Sequence, residues 1–384
     1  MRRWLPELVL GAVLPAVLLG GCTGLPAPFA PPASGDQPSA ATPRIAALAS
    51  DLRRALTGGD RALFVRSFAD EPEPRRRATE LWDNLALLDD VTVGAAGESA
   101  LEIGWRVPGD EAGVATEVPV VLALVEGRSV ATWLGSPTRP AIWQLGDLVV
   151  DEGAAGTVLA LDDLSGARVA DWGRHLAHAA ATLGKEHLGV FGSDWNGDLV
   201  VILPATAQQY LDLTGGGTTA TAAVTQCERG QPRVVVNPDV LGEGWDYLDA
   251  LLLHEATHVV AKSSCESGAE LWVDEGAAEW MAGRHHASAR LTTERWVREW
   301  VRRHGLPKTL PTAAAFASDD PDEVSAAYAL AAVAIGASVD AIGERATFDW
   351  IDRATSRDGS TSPALVRRVT RWYLAAVSRL VADT

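Results

Sequence analysis

Positive charge is what this sequence lacks. Its 33 Lys and Arg stand against 50 Asp and Glu, a formal net charge of −17. A nucleic-acid binder needs a basic face for phosphates, so the charge balance argues against that class. Docking on anionic lipid headgroups is disfavoured for the same reason. Cysteine is scarce too: Cys22, Cys227 and Cys265 allow at most one disulfide bond once the first is set aside. What is present is ordinary globular material, 47% apolar and 22% charged. A chain of 384 residues is too long for one ordinary core and indicates two domains.

Residues 1–22 read as an export signal. Arg2 and Arg3 give a positive start, and the apolar run Leu8 to Leu19, broken by Gly11 and Pro15, is short for a membrane span. It closes on Leu19-Gly20-Gly21-Cys22, which resembles the bacterial lipobox. That resemblance implies acylation of Cys22 and an extracytoplasmic protein anchored to the cell membrane as a lipoprotein. Residues 23–43 are rich in Pro, Ala, Gly and Ser and read as a disordered tether.

Over 44–152 helices come first. Ile45, Leu48, Leu52 and Leu56 recur at helical spacing, Gly58-Gly59 stops the run, and further helices are expected from Asp60 and from Arg75. The period then drops to two through Leu101, Ile103, Trp105 and Val107, again through Val118 to Leu124, and in Val130 to Leu134. Gly-containing turns between these runs predict an antiparallel meander. This order resembles the cystatin-like, nuclear-transport-factor-like α+β fold. Trp82, Trp105, Trp133 and Trp143 read as core rather than as the lining of a ligand cone. The first half holds no catalytic constellation.

Over 153–384 the fold class is again α+β, with strands at Val158–Leu161, Leu199–Leu203 and Arg233–Asn237 and helices nearly throughout after Tyr247. The apolar helix over 244–261 carries His254-Glu255-Ala256-Thr257-His258. Residues four apart share a helix face, so both imidazoles point one way, the spacing two nitrogen ligands of one Zn²⁺ require. Glu255 projects beside them. Seventeen positions after His258 stands Glu275, within Trp272-Val273-Asp274-Glu275-Gly276-Ala277-Ala278-Glu279-Trp280. A catalytic zinc takes three protein ligands, and a carboxylate on a second helix supplies the third. Ala261 and Ser264 stand where a metzincin needs Gly and His, which excludes that arrangement.

His-Glu-x-x-His followed by Trp-x-x-Glu-Gly-x-Ala resembles the gluzincin clan of zinc metallopeptidases, the thermolysin and aminopeptidase-N-like enzymes, and in particular the exported peptidase MA-like lipoproteins. The resemblance implies a thermolysin-like zincin domain holding Zn²⁺ through His254, His258 and Glu275, with Glu255 as general base. It implies that Glu279, or else Asp274, orients a ligand imidazole. Tyr328 is the oxyanion donor by this resemblance, with His285 and His286 as alternatives. The strand bearing Val235 and Asn237 would pair with the substrate backbone if it is an edge strand, and is internal otherwise. Cys227 and Cys265 are either bonded to each other or two separate thiols. The expected partners are a peptide or protein substrate and, through the anchor, the membrane; a monomer is expected. The competing expectation is a non-catalytic, zinc-stabilised binding lipoprotein of the cell envelope.

Overall fold

A computed structural model of the chain describes residues 42–136, 138, 140–162, 164–187, 195–216, 221–261, 265, 269–356 and 359–382. The leader, Cys22 and nearly all of the tether lie outside the described residues. Helix α1 (Pro43–Gly58) starts where the tether was expected to end. The Thr42 hydroxyl accepts from the Ile45 amide, Pro43 occupies the first turn, and Gly59 closes the helix at φ 64°. Helices α2 (Arg61–Arg66) and α3 (Pro72–Leu85) follow.

Strands β1 (Asp89–Ala96), β2 (Ala100–Arg106), β3 (Val114–Val125) and β4 (Arg128–Leu134) form an antiparallel meander in sequence order. Leu101, Ile103 and Trp105 bury their side chains in one cluster with Leu48, Leu52 and Leu81 from the helices. Trp105 and Trp143 meet edge to face at 5.7 Å, and Trp82 packs on Phe64. Trp133, expected in the core, is 40% exposed: it lies opposite Val121 on the uncovered part of the sheet.

The second sheet has the order β5-β6-β7-β9-β8, from β5 (Leu148–Gly153), β6 (Gly156–Leu161), β7 (Leu199–Leu203), β8 (Ala223–Glu228) and β9 (Gln231–Val236). The three inner strands are parallel and both edges antiparallel. Strands β6 and β7 are buried along their whole length, as strands covered on both faces must be. Val158, Val201, Val234 and Val236 face one core with helix α4 (Gly166–His187) and the helices beyond. Leu159, Leu161, Ile202 and Val235 face the other, which they share with α1, α3 and the first sheet. Since β5 pairs along its length with β6, the expected boundary between 152 and 153 falls inside a hairpin. The sheets part before Leu148, and their common core joins the two halves. A charged lock reinforces that joint. The Arg233 guanidinium on β9 makes a two-pronged pair with Asp110 in the β2–β3 turn, and both side chains are at most 4% exposed.

Helix α5 (Ala207–Thr214) precedes β8, and beyond β9 the described elements are helical, chief among them α6 (Trp245–Val260), α7 (Leu271–His285), α8 (Ala287–His304), α9 (Ala313–Phe316), α10 (Pro321–Ile342), α11 (Glu344–Thr355) and α12 (Pro363–Ala382). Among the described helices α10 alone is long and apolar enough to cross a membrane, and most of it is buried inside the helical core. The architecture is thus a mixed α/β part followed by a mainly helical part, as the sequence predicts.

Candidate metal centre

Helix α6 buries every residue from Ala250 to Val260. A helix apolar nearly all round is a core element, so the polar groups it carries are withheld from water and need partners. His254 and His258 lie one turn apart, with their Nε2 atoms 3.3 Å from each other. Oε2 of Glu275, on α7, lies 3.5 Å from His254 Nε2 and 3.4 Å from His258 Nε2. The three donors therefore make a nearly equilateral triangle. Ligands about 2.0–2.1 Å from a tetrahedral zinc stand about 3.3–3.4 Å apart, so the triangle has the dimensions of one face of such a site. Oε2 of Glu275 is buried and makes no hydrogen bond, which an acceptor aimed at a cation explains. The donor set fits a divalent metal, and it is the one such group of three among the described residues.

Carboxylates hold both imidazoles from behind. His258 Nδ1 is 3.0 Å from Asp274 Oδ1, and His254 Nδ1 is 3.3 Å from Glu279 Oε2. Glu279 is steadied in turn by the Thr293 hydroxyl, which donates to Oε1 at 3.0 Å. Asp274 and Glu279, read from sequence as competitors, each serve a different ring. Their spacing on α7 makes this possible: positions 274, 275 and 279 lie on adjoining parts of one helix face. The same helix comes close to α10 at the next position, because residue 276 is glycine. A Cβ there would stand 2.7 Å from the Ala331 carbonyl oxygen.

Without metal the cluster balances its charge with protons. Burial disfavours a charged His254, but the Glu275 and Glu279 carboxylates outweigh it and raise the ring to about 9. Burial likewise opposes charge on His258, and Asp274 and Glu275 override it, leaving it well above its ordinary value. Burial would raise the Glu275 carboxyl; the charges of His258 and His254 instead bring it to about 2. A cation would displace those protons.

Glu255 is 1% exposed and turns toward β8, where the Thr225 hydroxyl donates to its Oε2 at 2.6 Å. Its Oε1 is buried without a hydrogen bond. Tyr328 on α10 brings its ring within 6.3 Å of the His254 ring, and its buried hydroxyl has no partner. Burial, with Glu275 and Glu255 nearby, pushes its pKa well up, so it stays a protonated donor. His285 and His286 sit at the far end of α7, ten residues or about 15 Å of helix beyond Glu275, and are not brought to the site.

One sequence expectation is corrected. Strand β9 is internal, with β7 on one side and β8 on the other, so Val235 and Asn237 offer no open edge to a peptide. Val235 is fully buried, and the Asn237 amide is committed to the Thr221 carbonyl and the Asp239 N–H. The edge strand on this side of the sheet is β8. Its mixed polarity, Val224-Thr225-Gln226-Cys227-Glu228, carries no strand pattern, and so sequence reasoning passed over both β8 and Thr225. The cysteines are bonded: Cys227 of β8 is joined to Cys265 beyond α6, with Cα atoms 4.9 Å apart. Tyr247, about two turns before His254 on α6, was also missed. Its buried hydroxyl has no partner, and burial together with Glu243 and Glu255 raises its pKa.

No family model matches the chain, and no curated protein matches it. Among solved structures it is similar to native yeast LTA4 hydrolase, with 14% identity and a TM-score of 0.36, over 69% of this chain and 43% of that one, so the chain spans less than half the length of that protein.

Proposed function

We propose that this protein is a zinc-dependent peptidase of the gluzincin type. The observation that carries the reading is the triangle of His254 Nε2, His258 Nε2 and Glu275 Oε2, sized for one metal ion and leaving a coordination position for substrate or water. A zinc ion held by those three residues supplies Lewis acidity toward a carbonyl oxygen and toward water. Glu255, through Oε1, takes the proton of the attacking water and passes it to the leaving amine. The Tyr328 hydroxyl donates to the carbonyl oxygen as it becomes anionic, a contact of a kind that contributes about 3–4 kcal/mol. Asp274 and Glu279 keep the Nδ1 protons of the two rings in place so that both Nε2 atoms face the metal. An extended peptide adds along the outer edge of β8, the edge nearest Glu255.

By the sequence of residues 1–43 the enzyme is exported and held at the membrane through Cys22, which suits a body of net charge −17. Its substrates are then peptides or unfolded proteins outside the cytoplasm. A second reading, a binding lipoprotein in which zinc is structural, draws on one observation: the His254, His258, Glu275 and Tyr328 side chains are all buried. Turnover separates the two. A denatured protein substrate should be cleaved, the cleavage should stop with chelator, and added zinc should restore it. A zinc-loaded protein that cleaves none of a broad peptide panel would establish the binder instead.

A further inference from the structure

The general base is held by a side chain from the neighbouring edge strand. Thr225 Oγ1 lies 2.6 Å from Glu255 Oε2 and 3.2 Å from the Glu255 backbone carbonyl oxygen, and the carboxylate oxygen is the nearer of the two acceptors. A carboxylate only accepts, so the hydroxyl donates, and a charge-assisted bond of this length is among the stronger ones available to a threonine. It occupies one carboxylate oxygen and leaves Oε1 the only one free. Threonine suits the task because its branched Cβ restricts the first torsion, so the hydroxyl comes with little freedom to lose.

The strand that carries Thr225 is itself fixed. Thr225 lies opposite Val234 and Cys227 opposite Pro232 in the β8–β9 ladder, so residues 225 and 227 project to the same face of the sheet, the face against α6. Cys227 is bonded there to Cys265, just past the end of the helix that carries Glu255. An edge strand is paired on one side only. Here the covalent bond and the hydrogen bond, two residues apart, make up for the missing neighbour and tie β8 to α6.

We propose that Thr225 is the positioning residue of the general base: it fixes the Glu255 carboxylate so that a single oxygen faces the reacting water. This rests on the peptidase reading, with Glu255 as base. Thr225→Val keeps the shape and removes the donor, Thr225→Ala removes both, and Thr225→Ser keeps the donor. Zinc content, kcat and KM of the three full-length variants, beside wild type and Glu255→Gln, test the proposal on one fluorogenic peptide. The expected result is full zinc occupancy and little change in KM for all three. The kcat should fall about 10- to 100-fold for Val and Ala and return to within about threefold of wild type for Ser. Wild-type kcat in Thr225→Val, with Glu255→Gln inactive, overturns the positioning role and leaves the peptidase reading standing. Loss of zinc in both Val and Ala variants overturns it as well, since the contact is then structural. A wild type that shows no chelator-sensitive turnover, no better than Glu255→Gln, overturns the peptidase reading and takes this proposal with it.

Discussion

Asp274 holds His258 from behind: its Oδ1 lies 3.0 Å from the ring Nδ1, across the contact between α6 and α7. Because a carboxylate accepts and cannot donate, Nδ1 carries a proton toward Asp274, which leaves Nε2 as the ring nitrogen to be offered to a metal once its own proton is displaced. Asp274→Asn retains the size but loses the charge, and its amide can present a donor to the same nitrogen. Zinc affinity measured by competition with a chromophoric chelator should fall about 10- to 100-fold. An unchanged affinity would show that the ring needs no such partner.

The approach of α7 to α10 depends on Gly276, next to the third ligand. A methyl group there meets the Ala331 carbonyl at 2.7 Å, and backbone cannot swing aside as a flexible side chain can. Gly276→Ala should destabilise the fold by about 1–3 kcal/mol in denaturant unfolding and weaken zinc binding by shifting Glu275. A variant as stable as wild type would mean that the helices separate without cost.

Arg233 and Asp110 join the first sheet's turn to the second sheet in a buried pair. Removing one partner strands a charge, so Arg233→Met alone should cost about 3–5 kcal/mol, and adding Asp110→Leu should recover much of it. Equal destabilisation by the single and the double variant would show that the pair is not coupled.

The metal site was legible in the sequence because its chemistry is local. Two imidazoles one turn apart share a face by helix geometry, and the Asp274-Glu275-Gly276 segment with Glu279 repeats that logic on a second helix. The Asp274 and Glu279 roles could not be separated beforehand because each depends on how α6 and α7 cross. The errors lie in the sheet. Arg233-Val234-Val235-Val236 is apolar and branched whether it is an edge or an inner strand, and only the pairing partners decide. Strand β8, exposed along one side, is polar, and its residues matter through contacts made 30 residues away, as Thr225 does with Glu255. Trp133 reads as core by type, and it stands exposed because no described element covers that part of the sheet.

Protonation of the metal-free triad gives a pH dependence with a definite sign. His254 is raised from 6.5 to about 9, so its stabilisation is whole below pH 6.5 and is lost as pH rises through about 9. His258, raised in the same direction, adds to that loss. Glu275 is lowered from 4.5 to about 2, so its share is whole above pH 4.5 and is lost as pH falls through about 2. In chelator, the contribution of the triad to Tm should therefore be whole between pH 4.5 and 6.5 and decline above it. With excess zinc the trend above pH 6.5 should reverse, because deprotonated ligands bind better. Differential scanning calorimetry of wild type against His254→Ala, each with chelator and with zinc, measures both slopes; parallel slopes in all four samples would contradict the account.

The most direct measurement is anomalous-difference diffraction at the zinc edge from crystals of the zinc-loaded protein. The account predicts one strong peak per chain, about 2.0–2.2 Å from His254 Nε2, His258 Nε2 and a Glu275 carboxylate oxygen. A peak elsewhere, or density at the triangle with Glu275 turned away from both rings, would contradict it.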